Sequence, residues 1–261
     1  MVKLAANLSM MFQDLPFLDR IDAAAKAGFA AIEYMFSYDV PAEQVRARLD
    51  ANGLRHVLLN SPAGDWAGGD RGLAAVPGRD GEFRGGVQRA LDYAGTTGCT
   101  MIHAMAGMPP AGAETAAHHT YLDNLMFAAD AAAACDMTVI IEPINTRVDI
   151  PGYFLNGTAQ ALAVLEACGR PNLRLQYDIY HMQIMEGDLA RSIARLLPQI
   201  AHIQLADNPG RNEPGTGEIR FDWLLSEIDR LGYAGWIGCE YRPLGDTVAG
   251  LGWAKPYLSR D

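Results

Sequence analysis

No apolar run in this 261-residue chain approaches the roughly 18 residues that a membrane-spanning helix needs. The first residues, Met1 to Ala6, hold one lysine and a short apolar stretch that Asn7 interrupts. That is too little for the core of a secretory signal, so a cytosolic location is expected. Cysteine is scarce and scattered: Cys99, Cys135, Cys168 and Cys239 form no CxxC pair. A disulfide framework and a thiolate zinc centre are thereby excluded, and the four thiols read as buried or half-buried in a reducing compartment. Basic residues are the minority, 21 Lys and Arg against 31 Asp and Glu, for a formal net charge of −10. With no basic run to reverse the sign locally, such a surface repels a phosphate backbone and argues against a nucleic-acid partner. Internal repeats are absent. So is a glycine-rich dinucleotide turn after the first apolar run, where Asn7-Leu8-Ser9-Met10 stands instead.

What is present is an alternation of short apolar runs with longer stretches of helical period. The runs predict strands over residues 4–10, 31–36, 56–60, 101–106, 138–144, 173–178, 202–206 and 236–241. Between them, helices are predicted from Phe17 to just before Gly28, and over 41–52, 83–97, 113–134, 158–168, 189–197 and 222–231. Asp14 and Pro16 read as the capping acid and first-turn proline of the first helix. Strand–helix units in strict order predict an α/β fold with a parallel sheet. A doubly wound open sheet fits that order too. The length and the missing dinucleotide turn favour a single (β/α)8 TIM barrel over residues 1–261, one domain of roughly the usual 250 residues. Helix-to-strand connections are short. Three strand-to-helix connections, 62–81, 145–157 and 207–221, are long and rich in Gly, Pro, Asp and Asn. In a barrel these share one face and would build a pocket.

Four oxygen-bearing side chains close the last four strand runs: Glu142, Asp178, Gln204 and Glu240. If all face the barrel mouth, three negative charges and an amide converge, and a divalent cation resolves the repulsion. With neither His nor Cys in the set, Mg2+ or Mn2+ is favoured over Zn2+. The competing reading makes these acids loop caps or arginine partners. His181 could donate to a substrate oxygen or be satisfied within its own loop. Arg211, in a Pro/Gly-rich loop, either grips a substrate carboxylate through two parallel hydrogen bonds or pairs with Glu213 or Glu218. His103 and His202 read as core strand residues, His118-His119 as surface, and Met10-Met11-Phe12 as core or pocket wall. Glu33 and Asp65-Trp66 are further candidates for contact with substrate.

At these residues the chain resembles the hydroxypyruvate isomerases, within the barrel group related to xylose isomerase and endonuclease IV. The resemblance runs along nearly the whole chain. Its marks are Ala6-Asn7-Leu8-Ser9-Met10, Pro62-Ala63-Gly64-Asp65-Trp66, Ile141-Glu142-Pro143-Ile144-Asn145 and Gln176-Tyr177-Asp178-Ile179-Tyr180-His181-Met182-Gln183. Glu213-Pro214-Gly215-Thr216-Gly217-Glu218-Ile219, Gly238-Cys239-Glu240-Tyr241 and Gly250-Leu251-Gly252-Trp253 complete them. It implies a single divalent metal, Mg2+ or Mn2+, held by Glu142, Asp178, Gln204 and Glu240, with Glu142 and Glu240 as the acid–base pair. Related ketose epimerases usually carry histidine where Gln204 stands. The implied reaction interconverts hydroxypyruvate and tartronate semialdehyde through a metal-stabilised ene-diolate. Arg211, His181 and Lys255 are the candidates to bind the substrate carboxylate. A sister branch acts on 2-oxo-tetronate, and ketose 3-epimerases are more distant kin; the wording around Asn145 and Tyr180 is nearer the hydroxypyruvate branch. A DNA-acting barrel of the endonuclease IV type would need several strand-end histidines and a basic surface. A non-catalytic sugar-acid binder would not need two opposed acids. The resemblance also implies a homo-oligomer, although the sequence carries no interface signature.

Overall fold

In the computed structural model, which describes residues 1–258, eight strands close into one barrel in sequence order, every neighbouring pair parallel. The last three residues of the expected 1–261 domain lie outside the described residues. The strands are β1 Lys3–Asn7, β2 Ala31–Tyr34, β3 Arg55–Asn60, β4 Met101–His103, β5 Thr138–Ile141, β6 Leu173–Asp178, β7 Ile200–Leu205 and β8 Trp236–Cys239. The helices are α1 Phe17–Lys26, α2 Ala42–Asn52, α3 Asp80–Thr97, α4 Glu114–Ala133, α5 Thr158–Cys168, α6 Ile179–Met185, α7 Leu189–Leu196 and α8 Phe221–Arg230, followed by a 3-10 helix, Ala249–Tyr257. None is long and apolar enough to cross a membrane among the described residues.

The helices form because their apolar positions recur on one face, and that face is buried against the strands. In α8 these are Phe221, Leu224, Leu225 and Ile228. Gly53, Gly98 and Gly169 end α2, α3 and α5 in the left-handed conformation that glycine adopts without steric cost. Two local expectations fail. Asp14 does not cap α1; Pro16 occupies the N-cap, with no side-chain hydrogen bond to the first turn. The segment after Asp178, read as loop, is the helix α6, whose seven residues are too short to show a helical period.

Strand alternation sorts side chains between the helix layer and the barrel interior. Ala5, Ala31, Val57, Leu58 and Ile140 form an apolar cluster separate from the main core, at the lower level of the interior. One pleat higher on the same strands stand Asn7, Glu33 and Glu142, all buried. The interior thus changes from apolar to polar towards the C-terminal ends of the strands, the face where barrel enzymes place their chemistry. Of the cysteines, Cys99, Cys168 and Cys239 are buried as expected, but Cys135, in the turn after α4, is exposed.

Candidate active site

The polar upper interior opens into a cavity of about 320 Å³ lined by Glu142, Glu240, Gln176, His103, His181 and Arg211, among others. Glu142 follows β5, Asp178 ends β6, and His181 stands on the first turn of α6. One side-chain donor from each of these three residues lies within 4.8 Å of the other two. Asp178 serves two directions at once. Its Oδ1 accepts from the backbone N–H groups of Tyr180 (2.7 Å) and His181 (3.3 Å), capping α6, while Oδ2 has no hydrogen-bond partner. Oε1 of Glu142 and Oε1 of Gln176 are likewise buried acceptors without a donor. Buried oxygens are rarely left so. Converging oxygens that lack donors are what a hard divalent cation satisfies, and the residues present fit such an ion.

The electrostatics agree. Burial, followed by repulsion from Asp178 and Glu240, pushes the Glu142 carboxyl well above the ordinary range. Burial raises Glu240 to about 8 against the opposing pull of Arg211, and raises Asp178 to about 6. Burial and the nearby Arg211 and His103 keep His181 far below its ordinary value, hence neutral. Three acids that cannot all hold a charge comfortably in one dry volume form the environment a cation would relieve.

Beneath the cavity a hydrogen-bond layer crosses the barrel. Glu33 on β2 accepts from Asn7 (2.9 Å) and Gln204 (2.7 Å) and meets His202 Nε2 at 2.6 Å. Gly238 makes this possible, since a Cβ there would come within 2.3 Å of the Glu33 carboxylate. Gln204 in turn accepts from Gln176 Nε2 at 2.6 Å, and Asn7 also donates to Glu240 at 3.2 Å. Gln204 is the register partner of Asp178 on the neighbouring strand, and its amide is oriented by Glu33.

Arg211 pairs with neither Glu213 nor Glu218, its expected alternatives. Its Nη2 donates to Glu240 at 2.6 Å and its Nη1 to Asp149 at 3.3 Å, and the guanidinium lies over the Tyr180 ring. Its loop is tied by Asp207, whose carboxylate accepts the backbone N–H groups of Asn208, Gly215, Gly217 and Ile219. Lys255 is exposed on the 3-10 helix and does not line the cavity. His103, read as core, does line it, with Nδ1 3.7 Å from Glu142, and so do Trp66 and Met10. His202 is a core residue as expected and His118-His119 are exposed. Sequence reasoning passed over Gln176, Asn145 and Asp149 and two further arginines of the wall, Arg71 and Arg242. The one available signal was the polar residue two before Asp178 on β6, which alternation places on the same face.

The xylose isomerase-like TIM barrel family matches residues 21–257. The chain belongs to this family. A 2-oxo-tetronate isomerase of Cupriavidus necator is 55% identical over 261 residues, the whole of both chains. The hydroxypyruvate isomerase of Escherichia coli is 48% identical, covering 98% of this chain and 100% of its own. Among solved structures, a protein of Brucella melitensis described as an AP endonuclease, family 2, superposes with a TM-score of 0.97 at 44% identity over 100% of both chains.

Proposed function

We propose that the protein is a sugar-acid isomerase that interconverts hydroxypyruvate and tartronate semialdehyde, with Glu142 and Glu240 as its acid–base pair and one divalent ion, Mg2+ or Mn2+, as cofactor. The observation that carries this reading is the pair of buried acids on strands three apart around the barrel, both lining one cavity and both biased towards the protonated form. Carboxyls of this kind can exchange protons with carbon near neutral pH. Glu142, Asp178, Gln204 and Glu240 would hold the ion. Glu142 and Asp178 already offer unpartnered oxygens, and the Gln204 oxygen keeps one lone pair beside its bond from Gln176. When bound, the ion would act as a Lewis acid towards the oxygens of the substrate.

In the forward direction a proton leaves C3, the planar ene-diolate forms, and a proton arrives at C2. The hydroxyl hydrogen at O3 is lost and one is gained at O2, so the C2 ketone becomes an alcohol and the C3 alcohol an aldehyde. One glutamate takes the first proton and the other supplies the second. The substrate carboxylate is met by the positive wall, Arg211 within and Arg71 and Arg242 nearer the rim, rather than by Lys255. The acidic surface and absence of a basic run fit a cytosolic enzyme of small molecules without a nucleic-acid partner.

A second substrate, 2-oxo-tetronate, is favoured by the name of the 55%-identical relative, and the chemistry at C2 and C3 is the same. Purified protein should turn over one or both acids, lose that activity to a chelator, and regain it with Mg2+ or Mn2+. The ratio of kcat/KM decides the physiological chain length, and a ketose panel tests for epimerase action. Activity insensitive to chelation, or none on any 2-oxo acid, would overturn the proposal.

A further inference from the structure

The geometry points to a single, fixed tautomer of His181, with its proton on Nε2 and Asn145 as the residue that sets it. The ring then meets the substrate as a hydrogen-bond donor and is not a ligand of the metal, although its nitrogen lies beside Glu142 and Asp178. The role towards substrate rests on the isomerase reading; the tautomer does not.

Asn145 is fully buried in the loop after β5. Its Oδ1 accepts from the backbone N–H groups of Val148 and Asp149, both at 3.0 Å. A backbone N–H can only donate, so these two bonds fix which end of the amide carries oxygen. The Nδ2 end then points to Asp149 Oδ2 at 2.5 Å and to His181 Nδ1 at 2.7 Å. An amide nitrogen only donates, so His181 Nδ1 accepts and bears no proton. A neutral imidazole with a bare Nδ1 carries its proton on Nε2. Turning the amide over would keep the His181 contact, with Nδ1–H donating, only by setting the amide N–H groups against two backbone N–H groups and the amide oxygen against the Asp149 carboxylate, which breaks the other three bonds; Asp149 is itself held by Arg211.

Nε2–H faces Asp178 Oδ2 at 3.7 Å and Glu142 Oε1 at 4.0 Å, too far for a hydrogen bond to either. A ligating nitrogen needs a free lone pair, which this one lacks. The cluster therefore divides: the two carboxylates would hold the cation, and the one donor is left for the substrate. The developing negative charge at O2 of a 3-hydroxy-2-oxo acid is the group such a donor stabilises. Asn145 is thus a positioning residue, acting through His181.

Long-range 1H–15N spectra of histidine-labelled protein read the tautomer directly, with His181→Phe assigning the signals. We expect a pyridine-type Nδ1 and a pyrrole-type Nε2 in the protein both without metal and with Mg2+. Asn145→Asp offers only acceptors and should invert the pattern. His181→Phe cannot ligate. It should leave Mn2+ affinity within about tenfold of the parent, the scale of indirect effects at metal sites, while kcat falls by about 10²-fold or more. A pyrrole-type Nδ1 in the parent, or a larger loss of Mn2+ affinity in His181→Phe, overturns the assignment. Spectra and metal titration need no turnover, so a protein inactive on every sugar acid would sink the isomerase reading and leave the tautomer standing.

Discussion

Each buried acid of the site has a distinct set of neighbours, and those neighbours decide what its removal does. Glu142 is crowded by Asp178 and Glu240, so neutralising it relieves repulsion. Glu142→Gln should stay folded, with a melting temperature in the absence of metal at or above the parent's, while turnover drops by about 10²–10⁴-fold, the usual worth of a general acid or base. Glu240→Gln should lose as much activity, but it strips Arg211 of one of two carboxylate partners and gains nothing in stability. Initial rates and thermal melts check both; a near-parental rate in either variant removes that residue from the acid–base role. Glu142, Asp178 and Glu240 were legible because each closes an apolar strand run. The partners of Arg211 were not. Asp149 is 62 positions away in sequence, and Glu213 and Glu218, the acids close at hand, proved the wrong choice.

At the level of elements, α6 shows how a strand end and a helix start can share one side chain. Asp178 is the last residue of β6 and the N-cap of α6; one of its oxygens makes the cap and the other, without a hydrogen-bond partner, lies in the group with Glu142 and His181. Asp178→Asn keeps an oxygen for capping but removes the charge. It should weaken Mn2+ binding by at least about tenfold with little effect on stability. Asp178→Ala also loses the cap, and unfolding by urea should show a further cost of about 1 kcal/mol. Calorimetric titration of Mn2+ and urea unfolding separate the two effects; equal metal affinity in parent and Asp178→Asn would exclude Asp178 as a ligand. The longer helices were readable because several turns of apolar period accumulate in them. α6 hides in its seven residues, and the strands came out shorter than their apolar runs because the runs continue into the mouth of the barrel, where pairing stops but burial does not.

For the molecule as a whole, the acid cluster links stability to pH and to metal. Glu142 titrates well above the carboxylate range in the folded state, Asp178 at about 6 and Glu240 at about 8. The folded protein therefore holds protons that the unfolded chain has released. Its stability in the absence of metal is full below the ordinary carboxylate pKa and is lost as pH rises through these values. Melting temperatures without metal should fall between about pH 6 and pH 8, and Mg2+ or Mn2+ should raise them more at the higher pH, where binding competes with fewer protons. A metal-induced rise of equal size at both would count against a shared ion at this cluster. The sequence alone determined the parallel strand–helix order, in which each strand is covered by the next helix, while its length and the missing dinucleotide turn favoured a barrel over an open sheet; period-two alternation puts acids from the last strands inside. Only closure of the sheet decided which of those residues touch. The contacts of Glu33 with His202, of Arg211 with Glu240 and of Asn145 with His181 span 169, 29 and 36 positions. Local sequence carries no record of such pairs, because their distance is set by how eight strands stagger around a common axis.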